Sequence, residues 1–267
     1  MMQTVIQTHK LTKKFKDLTA VNELDISIDK GEIFGLLGPN GAGKTTTIKM
    51  LITLLRPNSG TATVGGFDIL KNPVQVRKTI GYVPQMISTE PNLTGFENMN
   101  IFAKLYDVDP KTRKENVMHS LERLGLADAR NKMVREYSGG MIRKLEIAQS
   151  LLNKPSILFL DEPSVGLDPV ARMHIWEHIK TLKNEYGATI LLTTHYMEEA
   201  DRLCDRIAIM DRGKISVIGT PLDLKSSLDM ENATMDDVFV THTNSNLNDA
   251  GGFRDIKRTR RTAKRLG

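Results

Sequence analysis

The sequence predicts an α/β fold: a largely parallel sheet covered by helices, with a block of helices inserted into it. Three observations carry that expectation. Short runs that are apolar throughout alternate with segments of helical periodicity. A glycine-rich loop joins one of those runs to a helix. The stretch from Gln85 to Lys154 carries helix signals and no convincing strand.

Taken in order, Leu24, Ile26 and Ile28 alternate with Asp25, Ser27 and Asp29, the period-two pattern of a half-buried strand that ends at Lys30-Gly31. The run IFGLL then leads into the glycine-rich loop and TTTIKMLITLL, whose apolar positions recur at helical spacing as far as Leu55. Buried strand, loop and helix follow one another. Further strands are expected in TATVGG, TIGYVP, ILFLDE, TILLTTH and RIAIM, several of them apolar throughout, as in a parallel sheet covered on both faces. Between them, Thr94-Gly-Phe-Glu97 reads as a capping box, and Asp109-Pro110 as an N-cap with proline in the first turn. Residues 86–154 are therefore read as a helical subdomain. After RIAIM, Asp211-Arg-Gly213 reads as a turn into KISVIG, and NSNLNDAGG as a polar linker to a basic tail.

Composition narrows the class. The chain has 267 residues, 40% hydrophobic and 26% charged, enough for a large core and ordinary for a soluble protein. No uncharged apolar run approaches the roughly 18 residues that a membrane helix needs, so any membrane is expected to be crossed by another subunit. The N-terminus MMQTVIQTHK lacks the pattern of a secretory signal, and the one cysteine, Cys204, has no internal disulfide partner. Both suit a reducing cytosol. Of the formal charge of +5, the segment 253–267 contributes +6 through seven Lys or Arg against Asp255, which leaves −1 for the rest. The basic pI thus belongs to a tail, expected to be a solvated, disordered end, with contact to anionic lipid or nucleic acid as the alternative.

Residues 38–45, GPNGAGKT, fit the phosphate-loop pattern G-x-x-x-x-G-K-[ST] without exception. Backbone N–H groups can turn inward on a phosphate chain where Gly38, Gly41 and Gly43 allow the conformations and the close approach. Lys44 adds a cation for the outer phosphates, Thr45 a hydroxyl for Mg²⁺, and the following helix its positive end. With Gly near 7% of residues, an accidental match in a chain of this length is on the order of one per cent. In ILFLDE, residues 157–162, an apolar strand delivers Asp161 and Glu162 to the carboxyl edge of a sheet, where α/β proteins bind ligands. There Asp161 can hold Mg²⁺ or its water, and Glu162 can orient and partly deprotonate an attacking water.

YSGGM at 137–141 lies between these two elements. With it the sequence resembles the ATPase subunits of ABC transporters over roughly residues 4–222, and the parts come in the family order: phosphate loop, Gln85 in GYVPQ, the serine-glycine-glycine signature, the Asp-Glu strand, Gly166-Leu167-Asp168, and His195 in TTH. GEIFGLLGPNGAGKTTTIKML, YSGGM and TMDDVFV look most like the drug-export branch typified by daunorubicin-resistance ATPases. The resemblance implies a P-loop NTPase core with a parallel sheet, an N-terminal antiparallel β subdomain and the inserted helical subdomain. It places the ATPase domain at 1–222 and a C-terminal extension at 223–243, leaving 244–267 as linker and tail.

For the site, the resemblance implies that Gly38, Pro39, Asn40, Gly41, Ala42, Gly43, Lys44, Thr45 and Thr46 hold ATP. Phe15 would stack on adenine where the family usually has tyrosine; a core phenylalanine is the alternative. Mg²⁺ would be held by Thr45, Gln85 and Asp161. Glu162, Gln85 and His195 would act in hydrolysis, and Asp168 would belong to the nucleotide site. Ser138 is a good N-cap, and Gly139-Gly140 leave backbone exposed at a helix start, a second anion site. In the family, Ser138, Gly139 and Gly140 of one subunit close over the ATP held by the other in a head-to-tail dimer. Tyr137 and Met141 replace the leucine and glutamine of the commonest signature, which removes one polar contact and keeps the helix end.

The function expected is therefore an ATP-hydrolysing subunit at the cytoplasmic face of a membrane, working with a separate transmembrane permease and a second copy of itself. Export of a drug-like or hydrophobic compound is the expected task, without specific nucleic-acid binding. The alternative is a non-transport ABC ATPase acting on ribosome or nucleic acid. Chromosome and repair ATPases place a long coiled coil between loop and signature, whereas Gly43 and Ser138 are 95 positions apart here. Translation-factor members usually carry two phosphate loops, and this chain has one. His174 and His178 in MHIWEHIK are four apart but lack an evident third ligand and read as a helix face. The thirteen methionines are scattered and read as core filling.

Overall fold

In the computed structural model residues 3–243 are described; the linker and basic tail expected over 244–267 lie outside the described residues. The chain opens with a long strand, β1 (Thr4–Phe15), whose edge is shared by β2 (Leu18–Leu24) and the short β3 (Ser27–Asp29). Leu24, Ile26 and Ile28 are all buried, as their alternation requires, but the expected continuous strand through them is broken. The Thr8 hydroxyl donates to Leu24 O at 2.7 Å and accepts from Ile26 N at 2.9 Å, taking the groups that a ladder would use. At Lys10, β1 itself turns through a left-handed φ of 46°, and Asp25 Oδ1 accepts the freed Lys10 N–H at 2.7 Å.

Next come β4 (Ile33–Leu37), buried at every position, and α1 (Lys44–Leu51). The helix stops short of the expected Leu55 because Thr53 takes φ 67°, and Leu54 and Leu55 both return their N–H groups to Lys49 O. The strand expected in TATVGG is β5 (Ser59–Val64), and it lies in the antiparallel layer, paired with β1 on one side and β6 (Phe67–Asp68) on the other. Its alternation explains the placement: Ala62 and Val64 are buried while Thr61 and Thr63 face out, the pattern of a sheet with one wet face. Helix α2 (Pro73–Thr79) then feeds β7 (Ile80–Val83).

Between β7 and the next strand lie α3 (Gly95–Leu105), α4 (Arg113–Arg123), two 3₁₀ turns and α5 (Gly139–Ser150). Among the described residues the only pairing in this stretch is an isolated bridge from Thr94 to Met133. The capping box at α3 forms, Thr94 and Glu97 each satisfying the other's backbone N–H. The start of α4 differs from expectation. Asp109 makes a turn, its side chain accepting from Lys111 N, and the helix begins three residues after Pro110 with Thr112 as N-cap.

The core strands β8 (Ile157–Asp161) and β9 (Thr189–Thr194) flank α6 (Pro169–Tyr186). After α7 (Met197–Leu203) come β10 (Arg206–Asp211) and, through a turn with Arg212 at φ 46° and Gly213 at φ 81°, the antiparallel β11 (Lys214–Gly219). Helices α8 (Pro221–Ser226) and α9 (Met235–His242) close the described chain.

The main sheet has the order β11-β10-β4-β9-β8-β7 and is parallel except at β11. Successive side chains point to opposite faces, so one apolar run serves two cores. Leu158 and Leu160 join the cluster beneath α3 to α7, while Ile157 and Phe159 join the one shared with α1 and the antiparallel layer. Each such side chain contributes roughly 1.5–3 kcal/mol on burial, which fixes the register of β8 and hence the place where Asp161 and Glu162 emerge. Phe159 is fully buried, so Phe159→Ala is expected to destabilise the fold by about 3–5 kcal/mol, read as a lowered urea midpoint; a loss under about 1 kcal/mol would contradict this packing.

Candidate active site

Four parallel strands bring their carboxyl ends to one edge. β4 ends in the loop 38–43, β7 leads to Gln85, β8 ends at Asp161-Glu162, and β9 leads through Thr193 and Thr194 to His195. In the loop, Gly41 and Gly43 have φ of 81° and 106°, conformations that L side chains rarely adopt. At Gly43 a Cβ would also sit 2.4 Å from Ala20 O, and at Gly38 2.3 Å from Met210 O. The backbone is packed too closely for any other residue. Gly43 is the N-cap of α1 and supplies no side-chain hydrogen bond, so the orphan N–H groups of the first turn are left for an anion.

Lys44 is folded back across the loop. Its Nζ donates to Gly38 O at 2.8 Å and Pro39 O at 3.1 Å, and it pairs with Glu162 Oε1 at 3.3 Å. The two side chains are only 5% and 6% exposed. Burial pushes the Lys44 pKa below the ordinary lysine value, and the Glu162 carboxylate opposes that shift. The other oxygen of Glu162 is held from two sides, by Gln85 Nε2 at 3.2 Å and His195 Nδ1 at 3.1 Å. Glu162 itself sits at φ 51°, a left-handed conformation for a non-glycine residue.

Asp161 is fully buried. Its Oδ1 accepts from Thr45 Oγ1 at 3.0 Å and Thr193 Oγ1 at 2.6 Å, whereas Oδ2 is enclosed with no hydrogen-bond partner. Burial raises its pKa above the usual aspartate value, against the two hydroxyl hydrogen bonds that lower it. An enclosed carboxylate oxygen without a partner, beside a threonine hydroxyl, is the kind of hard oxygen donor that a magnesium ion takes. The residues present fit that ion.

Asp161 is not on the surface of the open cleft of about 600 Å³ that these elements border, whose wall includes Phe15, Asn40 to Thr46, Gln85, Glu162 and His195. Phe15 is 44% exposed on the cleft wall, with Lys13 Nζ 5.2 Å from its ring centroid; it is not a core side chain. Gly38 and Pro39 take part through their carbonyls rather than by lining the space. Sequence reasoning missed Leu18, Ala20 and Val165 on the wall. It also missed Thr193, whose hydroxyl donates to Asp161 and accepts from Glu162 N at 3.0 Å, tying the two carboxylates to β9. The signal available was the Thr-Thr-His end of that strand.

Ser138, Gly139, Gly140 and Asp168 are not part of this cleft wall. Ser138 caps α5, its Oγ accepting from Met141 N at 3.3 Å, and both Ser138 and Gly139 are exposed. Asp168 caps α6, accepting from Val170 N and Ala171 N at 3.0 Å each. The two helix starts pack together: a Cβ on Gly140 would meet Ala171 Cβ at 3.0 Å, and one on Gly139 would meet Leu167 at 3.3 Å. Tyr137, in place of the usual leucine, is buried and donates its hydroxyl to Ala129 O at 2.8 Å.

A phosphate loop between a parallel strand and a helix, faced by a strand-end Asp-Glu pair, defines a P-loop nucleotide hydrolase. Residues 21–165 match the ABC transporter family model, and the chain belongs to that family as an ATP-binding, ATP-hydrolysing subunit. It is 45% identical to the daunorubicin/doxorubicin resistance ATP-binding protein DrrA of Streptomyces peucetius, over 84% of this chain and 67% of the relative. It is 42% identical to the linearmycin resistance ATP-binding protein LnrL of Bacillus subtilis, over 92% of this chain and 77% of the relative. Among solved structures, the ATP-binding subunit of an ABC transporter superposes with a TM-score of 0.78 at 28% identity, covering 89% of this chain and 99% of that one.

Lys44→Ala removes the one side-chain cation on the cleft wall among the described residues and leaves Glu162 buried without its ion pair. Losing a buried charged partner of a bound anion is expected to weaken ATP binding by about 100-fold or more, read by calorimetric titration; unchanged affinity would contradict the assignment of the cleft.

Proposed function

We propose that this chain is the ATPase subunit of an exporter, working as a head-to-tail pair at the cytoplasmic face of a membrane that a separate permease subunit crosses. The observation that carries the pairing is the separation of two helix ends suited to anions. The start of α1 opens into the cleft, whereas the start of α5, with Ser138 exposed, lies away from it. In a second copy placed head to tail, Ser138, Gly139 and Gly140 would cover the ATP held by the first. Asp168 then contributes by fixing the start of α6 beside the signature.

Within one cleft the roles follow from the contacts. The loop backbone and Lys44 bind the phosphate chain, and Phe15 offers its ring face to adenine. Thr45, Asp161 and Gln85 would hold Mg²⁺, which neutralises charge on the phosphate oxygens when bound. Phosphate competes with Glu162 for Lys44, and release of that ion pair frees the carboxylate to accept a proton from water. Gln85 and His195, both on Glu162 Oε2, orient the base, and His195 lies on the cleft wall where a terminal phosphate would reach it.

The membrane assignment rests on the family, and among the described residues no helix is long and apolar enough to span a bilayer. The drug-resistance names of the relatives support a drug-like or hydrophobic cargo. The cargo contacts themselves would belong to the permease.

Glu162→Gln keeps shape and hydrogen bonding but removes the proton acceptor, so hydrolysis is expected to fall by about 10² to 10⁴ while ATP binding survives. Two unhydrolysed ATP molecules then bridge the copies, and ligand occupancy stabilises the assembled state. Size-exclusion chromatography should show an ATP-dependent dimer. A variant that binds Mg-ATP yet stays monomeric, or turns over at the wild-type rate, would overturn the proposal.

A further inference from the structure

Helix α5 carries two charged side chains that no step of hydrolysis uses. Arg143 is 4% exposed and Glu146 2%. Burying an arginine and a glutamate costs several kcal/mol per ion before their attraction is counted, so the contacts they make call for a reason. Arg143 Nη1 donates to Glu146 Oε2 at 3.0 Å and to Pro84 O at 2.7 Å, and Nη2 donates to Gln85 O at 3.2 Å. Glu146 Oε1 accepts from Ser88 N at 2.6 Å and Ser88 Oγ at 3.0 Å.

Every outside partner of the pair therefore lies in residues 84–88, the segment that leaves the end of β7. Pro84 is half-buried and Gln85 to Ser88 are exposed residues, so this segment is not an interior loop that must find all its partners within the protein. The pair is thus not needed to pay for a buried loop. What it does secure is position: Gln85 O is held by Arg143 while the same residue's Nε2 reaches Glu162 Oε2 at 3.2 Å. Beyond Ser88 the chain is fastened again, where Asn98 of α3 accepts from Glu90 N and donates to Glu90 O, both at 2.9 Å.

We propose that Arg143 and Glu146 are positioning residues for ATP hydrolysis: they clasp residues 84–88 to the helix that Ser138 caps, so that the place of Gln85 against Glu162 follows the place of that helix. Arg143 lies five residues from the cap, about 7.5 Å along the helix axis. That positioning rests on the roles given above to Gln85, Glu162 and Ser138.

The test replaces both charges at once, Arg143→Met with Glu146→Leu, so that neither is left buried alone. In the full-length chain, hydrogen exchange at the Ser88 amide is expected to rise by about tenfold or more as its acceptor is lost. The kcat is expected to fall by about 10- to 100-fold, with KM for ATP within about twofold, because a misplaced group costs rate rather than binding. In a Gln85→Ala background the same pair of substitutions should lower kcat by less than about twofold, since the group it positions is already gone. Unchanged Ser88 exchange would overturn the clasp. An equal fall of kcat in both backgrounds would overturn its action through Gln85 and show a merely structural pair. A Glu162→Gln chain with wild-type turnover would instead remove the hydrolytic role on which the proposal rests, and the exchange measurement, which involves no catalysis, tells these failures apart.

Discussion

The buried ion pair between Lys44 and Glu162 is the interaction around which the site is built. Two charges with side chains only 5% and 6% exposed are tolerated when their remaining hydrogen-bonding capacity is satisfied. Lys44 uses the carbonyls of Gly38 and Pro39, and Glu162 uses Gln85 and His195. The pair thereby ties together the ends of β4, β7, β8 and β9. In the proposed mechanism it is also the contact that a phosphate chain would disrupt, because a polyanion at the loop offers Lys44 more charge than one carboxylate does. Under that proposal, binding and activation of the base would be one event.

The rest of the fold keeps those four strand ends in register. A parallel sheet buried on both faces cannot slip by one residue without turning Phe159 and its neighbours into the wrong core. The antiparallel layer closes over the other side of α1, its Ala20 carbonyl excluding any side chain at Gly43. Thr193 completes the frame by bridging Asp161 and the Glu162 backbone from β9. The left-handed conformation at Glu162, φ 51°, is sustained by this surrounding order and accords with the reactive role proposed for it.

Much of this was legible in the sequence, for identifiable reasons. Runs such as ILFLDE announce buried parallel strands because both faces must be apolar, and the phosphate loop announces itself because few residue types tolerate its geometry. The break at Ile26 was hidden, since the Thr8 hydroxyl that interrupts the ladder comes from the neighbouring strand β1 while the alternation of Leu24, Ile26 and Ile28 persists. TATVGG reads as a strand, and the alternation of its threonines with Ala62 and Val64 is what suits it to the antiparallel layer rather than to the doubly covered sheet. Asp109-Pro110 carried the signs of a cap but forms the turn before it. Phe15 could not be assigned to core or cleft without its exposure, and Thr193, Arg143 and Glu146 matter through contacts that periodicity does not register.

The pairing of two copies across ATP is tested most directly by complementation. Chains carrying Lys44→Ala are mixed with chains carrying Ser138→Ala, and ATPase activity is measured against each variant alone. If Ser138 acts on the nucleotide of the facing copy, a mixed dimer contains one intact site, made of Lys44 from one chain and Ser138 from the other. Activity of the mixture should then exceed the average of the two separate variants. A mixture that merely equals that average would contradict closure by a second copy and return both helix ends to a single chain.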